Sequence, residues 1–435
     1  MANTEEQADV VIVGGGPGGL ATAAMLARAG RGVVVLEKAP VPGGRGATQL
    51  EAGFHFNLGA HALYRGGHAM RVLRDLGITP TGGVPSAAGG FAVHGGRLHT
   101  LPGGFLSLLT TDLLGVGGKI EVARLLATLP RVEATAFDST PWSDWVGGRV
   151  RDTVARELLT ALVRLSTYAN APSVLSAGAA LRQLQLALSE NVLYVDGGWR
   201  TLVEGLRSAA ERAGAAVVCG ARVRSVECGL GRARVTTADG RMTEARAVVL
   251  AVPPSVAAAV CDGPAGEQLG RWAGEMTPVR AACLDVGLSV LPKSRNLFAL
   301  GVDAPVYLSV HSAIARLAEP GHALIHVAKY LPVDAVVDAK ADERELEALL
   351  DLVQPGWREV LVERRFLPDM TVSYAATEAR TGAARPGPAV PGVEGLYVVG
   401  DWVGARGMLL DASLASAESA AKGILATSER ERAAA

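Results

Sequence analysis

The chain contains 435 residues, of which 49% are hydrophobic and 20% are charged, and its formal net charge is −1. This composition excludes intrinsic disorder, which requires low hydrophobicity and high net charge, and it provides no overall field for nucleic acid or acidic membranes. The 53 glycines keep no three-residue period, which excludes a collagen helix and leaves the glycine excess to be explained.

The cysteines and the N-terminal residues predict neither metal binding nor secretion. The four cysteines form no CxxC pair, so we expect no dithiol redox centre, no zinc site and no other metal. The N-terminal sequence MANTEEQADV lacks the positive start and apolar run of a secretory signal. No stretch of uncharged apolar residues is long enough to cross a bilayer. We therefore expect a cytoplasmic protein without a transmembrane segment.

The first chemically specific pattern is a strand, a glycine-rich turn, a helix and a second strand. Residues 10–13 (VVIV) have the apolar, β-branched character of a strand buried on both faces. They lead into GGGPGG, after which a helix is predicted over residues 20–29 and a second strand over residues 33–36. This order predicts a Rossmann-type unit that binds a dinucleotide.

Each residue of the glycine-rich turn has its own physical task. Gly14 allows the tight turn out of the strand, Gly16 lets the backbone approach a pyrophosphate, and Gly19 lets helix and strand pack closely. Pro17 suits the first turn of a helix, whose unpaired N–H groups and dipole attract phosphate. Glu37 stands at the spacing of the carboxylate that binds ribose hydroxyls, and its charge disfavours NADP.

Residues 41–48 (VPGGRGAT) favour FAD over NAD. With this segment the chain resembles the FAD-dependent superfamily of phytoene desaturases, protoporphyrinogen oxidases and flavin amine oxidases, in which R-x-G-G-R-x-x-[ST] wraps the FAD pyrophosphate. Arg45 and Thr48 keep that motif, whereas Val41 replaces its first arginine and Asn57 stands where the family usually has Asp. The resemblance implies FAD as the cofactor.

Two later segments carry the same resemblance. Residues 196–226 resemble the segment by which the family returns to its FAD domain, where the position of Val223 contacts adenine through its backbone. Residues 395–401 (GLYVVGD) resemble a strand whose final aspartate, here Asp401, meets the ribityl–phosphate region. A helix predicted over residues 410–425 then directs its N-terminus at the flavin, where its positive dipole end can stabilise a reduced, anionic ring.

These motifs together predict the cofactor site. The branch that the chain resembles most is that of the phytoene desaturases, on residues 307–315 (YLSVHSAIA), 319–321 and 400–403. The residues predicted to bind FAD are Gly14, Gly16, Pro17, Gly18, Gly19, Glu37, Lys38, Gly44, Arg45, Gly59, Ala60, His61, Val223, Gly400, Asp401, Gly407, Met408 and Leu409.

The spacing of the motifs predicts an α/β fold with a Rossmann-like FAD-binding domain of the glutathione-reductase type and a mixed α+β substrate domain. Only one dinucleotide motif is present, which disfavours a second nucleotide-binding domain. The FAD-binding domain is expected to be discontinuous and to comprise residues 1–75, 190–265 and 392–428. The substrate domain is expected to comprise two inserts, residues 76–189 and 266–391, and residues 429–435 are expected to form a tail.

The inserts carry helical and strand-like patterns. The first has apolar residues at helical spacing over 120–129 and 154–165. The second alternates as strands do at residues 281–286, 306–311 and 324–328. Residues 103–115 (GGFLSLLTTDLLG) are apolar with little charge, and we interpret them as a substrate-tunnel or core segment in preference to a patch that contacts a membrane.

The sequence assigns no catalytic residue, and three side chains are candidates. His61 follows a turn expected at the flavin, or else makes only a hydrogen bond there. His311 and Tyr307 share one face of a predicted strand, which is alternatively a core face. Amine oxidases of the superfamily often hold a lysine near the flavin N5 atom, and Lys329, at a predicted strand end, is not assigned to that position.

We therefore predict an FAD-dependent oxidase or desaturase that transfers hydride from a hydrophobic, isoprenoid-like substrate to flavin N5, with O₂ or a quinone as acceptor. The scarcity of aromatic residues (6 Trp, 7 Tyr and 7 Phe) argues against an aromatic cage around an amine. The alternatives are an amine oxidase that forms an imine and peroxide, a non-redox FAD-dependent isomerase, and a prenyl-protein carrier of the same fold. The expected partner is a small organic substrate, without nucleic acid, and peripheral membrane contact and the oligomeric state stay open.

Overall fold

The computed structural model describes residues 5–86, 89–229 and 231–434. The strands are β1 (Glu5–Val13), β2 (Val33–Glu37), β3 (Thr48–Glu51), β4 (Phe54–Asn57), β5 (Leu63–Tyr64), β6 (Gly82–Gly83), β7 (Phe91–His94), β8 (Arg97–Thr100), β9 (Val192–Val195), β10 (Ala216–Cys219), β11 (Val223–Gly229), β12 (Arg232–Thr237), β13 (Met242–Leu250), β14 (Val279–Leu288), β15 (Phe298–Gly301), β16 (Val306–Val310), β17 (Ala323–Leu331), β18 (Leu361–Ser373) and β19 (Leu396–Val398). The helices are α1 (Pro17–Arg28), α2 (His68–Asp75), α3 (Phe105–Thr110), α4 (Val116–Thr128), α5 (Trp142–Gly147), α6 (Thr153–Thr167), α7 (Ala177–Glu190), α8 (Arg200–Arg212), α9 (Pro254–Val260), α10 (Gly263–Glu275), α11 (Ala339–Val353) and α12 (Leu409–Ala434).

The first sheet has the strand order β10-β2-β1-β13-β12-β11, and β19 also pairs with β13. β1 is parallel to both β2 and β13, and β10 is parallel to β2. The apolar run of β1 is fully buried because α1, α8 and α12 pack with it on one face, as a parallel sheet requires. The predicted α/β fold is confirmed, and α1 begins at Pro17, within the glycine-rich turn.

This sheet is assembled from three separated stretches of the chain. β1 and β2 come first, β10 to β13 follow after a long insert, and β19 comes from near the C-terminus. Since the carboxyl ends of the parallel strands lie at one edge, residues distant in sequence meet there.

A second sheet draws its strands from both inserts. Its order is β18-β14-β17-β16-β15-β7-β8, and only the β15–β7 pair is parallel. α11 packs on one of its faces, and the strands β14 and β17 are buried along nearly their whole length.

The helices α3 to α7 form a separate apolar cluster beside this sheet, with Trp142 and Trp145 stacked inside it. The interpretation of residues 103–115 as a core or tunnel segment is wrong for half of their apolar side chains. Leu108 is buried, but Phe105 and Leu106 are exposed. No helix of the described residues is long and apolar enough to cross a membrane.

Two element boundaries differ from the sequence prediction. α12 continues to Ala434, through the residues predicted as a tail, because Glu, Arg and Ala there favour helix. β16 ends at Val310, and His311 begins a short 3₁₀ turn instead of extending the strand.

Candidate active site

A cavity of about 480 Å³ lies at the carboxyl ends of β1 and β2. Its walls combine the glycine-rich turn, the end of β2, the Arg45 segment, the turn before β11, the end of β18 and the start of α12. All the residues predicted to bind FAD line this cavity except Gly59, Gly407 and Met408, which lie within two residues of lining residues in the sequence. The fold therefore brings motifs from four separated parts of the chain to one concave site.

The three glycines of the turn are required for different reasons. A Cβ atom on Gly14, where φ is +107°, would lie 2.5 Å from the Ala251 carbonyl oxygen, and one on Gly19 would lie 2.1 Å from the Gly14 oxygen. At both positions the protein's own backbone leaves no room for a side chain. A Cβ on Gly16 would meet no protein atom within 4 Å and would enter the cavity. The space in front of Gly16 and the N-terminus of α1 fits a phosphate group.

The Glu37 carboxylate is held at the end of β2 by two backbone donors. The N–H of Gly15 donates to Oε2 at 2.7 Å and that of Ala39 to Oε1 at 2.8 Å. The side chain lies in the cavity wall, and each carboxylate oxygen keeps lone pairs that can accept from ribose hydroxyls. With the space at Gly16 and the Val223 backbone in the same wall, the residues present fit a bound FAD.

Arg45 and Asp401 form a bidentate ion pair across the cavity wall, with both N–O distances 2.8 Å. Arg45 also donates to the Val372 carbonyl at 2.7 Å, and its guanidinium lies 4.4 Å from the centre of the Tyr374 ring. Burial works to raise the pKa of Asp401, but the Arg45 charge and hydrogen bonds lower it below its usual value. Asp401 is therefore charged at neutral pH, and the pair joins the Arg45 segment, β18 and the turn after β19.

His61 lies in the cavity wall between two backbone carbonyls. Its Nδ1 is 3.0 Å from the Gly59 oxygen and its Nε2 is 3.1 Å from the Arg45 oxygen. Burial lowers the pKa of His61 to about 4, so the ring is neutral at neutral pH and donates to one carbonyl at a time. The edge of the ring packs on Trp199, with ring centres 4.5 Å apart.

Tyr168 closes the same end of the cavity from the first insert. Its hydroxyl donates to the Ala60 carbonyl at 2.9 Å. Burial raises the pKa of Tyr168 well above its usual value, so the hydroxyl keeps its proton and stays a donor. The turn that carries Ala60 and His61 is thus fastened to the insert, and the tyrosine ring faces the cavity.

The other two catalytic candidates do not line the cavity. Tyr307 and His311 are buried, the tyrosine hydroxyl is 3.1 Å from Nε2 of His311, and the Tyr194 ring stacks on His311 at 3.7 Å. Burial lowers the pKa of His311 well below its usual value. These residues form a buried polar cluster that joins β9 to the end of β16.

Sequence analysis missed three further members of this region. Asp285 and His326 are paired across β14 and β17, with Oδ1 2.6 Å from Nδ1, and Arg365 donates to the other Asp285 oxygen at 2.7 Å. Their only signal in the sequence is one polar residue within each of two apolar strands, which indicates a polar core pair but no position relative to a site.

The family follows from a comparison with known proteins. The family model of flavin containing amine oxidoreductases matches residues 17–425. The chain belongs to this family. As a flavin amine oxidoreductase, it is an FAD-dependent oxidoreductase, and FAD is its cofactor.

The relatives of this chain bear the names of different activities. A phytoene desaturase of Neurospora crassa is 42% identical over 80 residues, which are 18% of this chain and 13% of the relative. A Mycobacterium tuberculosis protein bearing the name flavin-containing monoamine oxidase AofH is 28% identical over 281 residues, 59% of each chain. A triple mutant of putrescine oxidase has the same fold, with a TM-score of 0.76 and 18% identity over 97% of this chain and 100% of that one.

Lys329, the lysine left without an assignment, lies away from the cavity of this flavin amine oxidoreductase. Its Nζ is 2.8 Å from Asp342 and also pairs with Glu345, both on α11. The lysine in the cavity lining is Lys38, which follows β2 at the nucleotide end. Among the lining residues, no lysine lies at the end formed by Ala60 and Tyr168.

Proposed function

We propose that the chain oxidises an uncharged, hydrophobic, isoprenoid-like substrate by hydride transfer to FAD, with O₂ or a quinone as the final acceptor. The observation that carries this proposal is the character of the cavity end formed by the inserts. Leu58, Tyr168, Met370 and Val372 line it, without a carboxylate. A substrate ammonium group would have no counter-ion there, and burying an unpaired charge is costly.

The two carboxylates that do line the cavity are already engaged. Glu37 accepts from two backbone N–H groups at the nucleotide end, and Asp401 is paired with Arg45. Neither is free to bind a substrate amine. This distribution of charge favours an aliphatic or isoprenoid substrate over an amine.

Bound FAD supplies a hydride acceptor at its N5 atom. In this proposal the α1 N-terminus and the space at Gly16 hold the pyrophosphate, Glu37 binds the ribose and the Val223 backbone contacts adenine. The N-terminus of α12, where Leu409 lies in the cavity wall, would offer its positive dipole end to a reduced, anionic flavin.

The remaining residues orient the substrate and exclude water. The Tyr168 hydroxyl donates its hydrogen bond to the Ala60 carbonyl. The tyrosine ring, Met370 and Val372 therefore present an apolar surface. His61 directs both ring nitrogens at backbone carbonyls, and we therefore assign it a positioning role. The proton released together with the hydride leaves the cavity for the bulk solvent.

Anaerobic reduction of the bound flavin tests the proposal. The holoenzyme is mixed in detergent with isoprenoid hydrocarbons and alcohols, carotenoids, and aliphatic, aromatic and diamine substrates, and the visible flavin absorbance is followed. We expect bleaching by one or more isoprenoids and none by amines. Bleaching by an amine, with ammonia and peroxide released in air, would overturn the proposal in favour of the amine oxidase activity that the AofH relative suggests. Bleaching that never leads to turnover would indicate a non-redox FAD-dependent isomerase. A purified protein without flavin absorbance would indicate a prenyl-protein carrier of the same fold.

A further inference from the structure

The surface of the first insert carries a concentrated group of exposed apolar side chains. α3 and the start of α4 expose Phe105 by 73%, Leu106 by 75% and Val116 by 77%, and Leu109 and Ile120 are also mostly exposed. We call these five residues the outer patch. Elsewhere in the described residues, large apolar side chains that are this exposed occur mainly singly. A soluble protein usually exposes a contiguous apolar surface only where something binds it.

The helix α4 presents apolar residues on its outer face as well as on its inner face. Its exposed face continues from Val116 and Ile120 to Ala123 and Ala127, positions that recur at helical spacing, while Val122 is buried. α3 adds Phe105, Leu106 and Leu109 beside it, and Lys119 joins the two helices by donating to the Leu109 carbonyl at 2.7 Å. The outer patch is therefore a built surface of two connected helices.

Charged side chains of both signs border the outer patch, and its arginines are not paired with the acidic ones. Asp112 pairs with His99 at 3.0 Å, Glu121 accepts from two backbone N–H groups after α5, and Glu133 accepts from the Thr135 hydroxyl. The exposed side chains of Arg124 and Arg131 have no hydrogen-bond or ion-pair partner in the part of the chain that the structure describes. An apolar face with unpaired arginines beside it complements a bilayer surface that contains anionic lipid.

We propose that α3 and α4 dock this enzyme on an anionic lipid surface, with the outer patch inserted among the acyl chains and Arg124 and Arg131 at the headgroups. The apolar cluster beneath supports this orientation. It begins with Leu108 and Val122 on the inner side of these two helices and reaches Tyr168 and Leu409, which line the cavity. The docked face is thus connected to the cavity by continuous apolar packing.

Vesicle binding by the holoenzyme tests the proposal without any substrate. The protein is sedimented with vesicles of phosphatidylcholine alone or of equal parts phosphatidylcholine and phosphatidylglycerol. The variant Leu106→Ser with Ile120→Ser removes apolar surface, and Arg124→Gln with Arg131→Gln removes charge. The matched control is Leu188→Ser with Val336→Ser, two exposed apolar residues outside the outer patch. Flavin content, measured for each protein, verifies that the fold is intact.

We expect the wild type and the control to bind the anionic vesicles and the apolar variant to bind at least about tenfold more weakly. The charge variant should lose its preference for anionic vesicles and the salt dependence of binding. Failure of the wild type to bind, or equal binding by the apolar variant, would overturn the proposal. A wild-type dimer that this variant converts to a monomer, without vesicle binding, would assign the patch to contact between two copies. The flavin-bleaching experiment contains no vesicles, so the two proposals fail independently.

Discussion

At the scale of single residues, His61 shows how burial sets the protonation state of a side chain in the cavity wall. Its two nitrogens face two carbonyl oxygens, an arrangement that would suit a charged ring, whereas burial opposes that charge. His326 lowers the pKa of His61, as burial does, whereas Asp285 raises it. The neutral form prevails, and the sequence alone could not indicate this because the opposing groups come from strands far along the chain.

The pKa of His61 makes the stability of the protein depend on pH. Because the pKa in the folded state is about 4 against an ordinary value of 6.5, protonation is disfavoured by folding. The contribution to stability is full above pH 6.5 and is lost as the pH falls towards 4. We expect the wild type to lose roughly 2.5 kcal/mol more than His61→Gln between pH 7 and pH 4.5, measured by urea unfolding. Parallel pH profiles for the two proteins would contradict this assignment.

At the scale of elements, the sequence predicts the structure most accurately where neighbouring residues alone determine it. The strand, turn, helix and strand from Val10 to Glu37 need only neighbouring residues, and all of them form. The apolar segment with Phe105 and Leu106 was placed inside because hydropathy does not indicate which face a short helix turns inward. That choice depends on where the rest of the insert packs.

The glycine-rich turn offers an element-scale test that separates folding from cofactor binding. Gly16→Val should reduce FAD retention at least about tenfold without lowering the thermal stability of the flavin-free fraction, because its Cβ enters the phosphate space and meets no protein atom within 4 Å. Gly19→Ala should destabilise the fold by roughly 2–3 kcal/mol, since its Cβ would collide with the Gly14 oxygen.

The matched control for this test is Gly387→Val, another glycine at which a Cβ meets nothing within 4 Å. Flavin absorbance after gel filtration and thermal unfolding followed by circular dichroism provide the two readouts. Stoichiometric FAD in Gly16→Val would refute the assignment of the turn to the pyrophosphate.

At the scale of the whole molecule, the site exists because three separated stretches of the chain reach one sheet edge. The motifs at Arg45, Val223 and Asp401 could each be identified in the sequence, since each keeps a local pattern. Their contacts could not, because Arg45 and Asp401 are separated by 356 residues, a stretch that includes both inserts. The pairing of Asp285 with His326 could not be predicted for the same reason, because β14 and β17 are neighbours only in the folded sheet.

The Arg45–Asp401 pair should therefore couple the ends of the chain energetically. Asp401 is fully buried, and the loss of Arg45 would leave its charge unpaired, although the arginine side chain is 36% exposed to the cavity. We expect Arg45→Met and Asp401→Asn each to cost about 2–3 kcal/mol of unfolding free energy, and the double variant to cost less than their sum by at least about 1.5 kcal/mol. The exposed pair Arg241–Asp239 is the control, and the costs of its two single variants should add, because solvent screens an exposed pair. Additive costs for Arg45 and Asp401 in urea unfolding would mean that the pair only lines the cavity and does not hold its segments together.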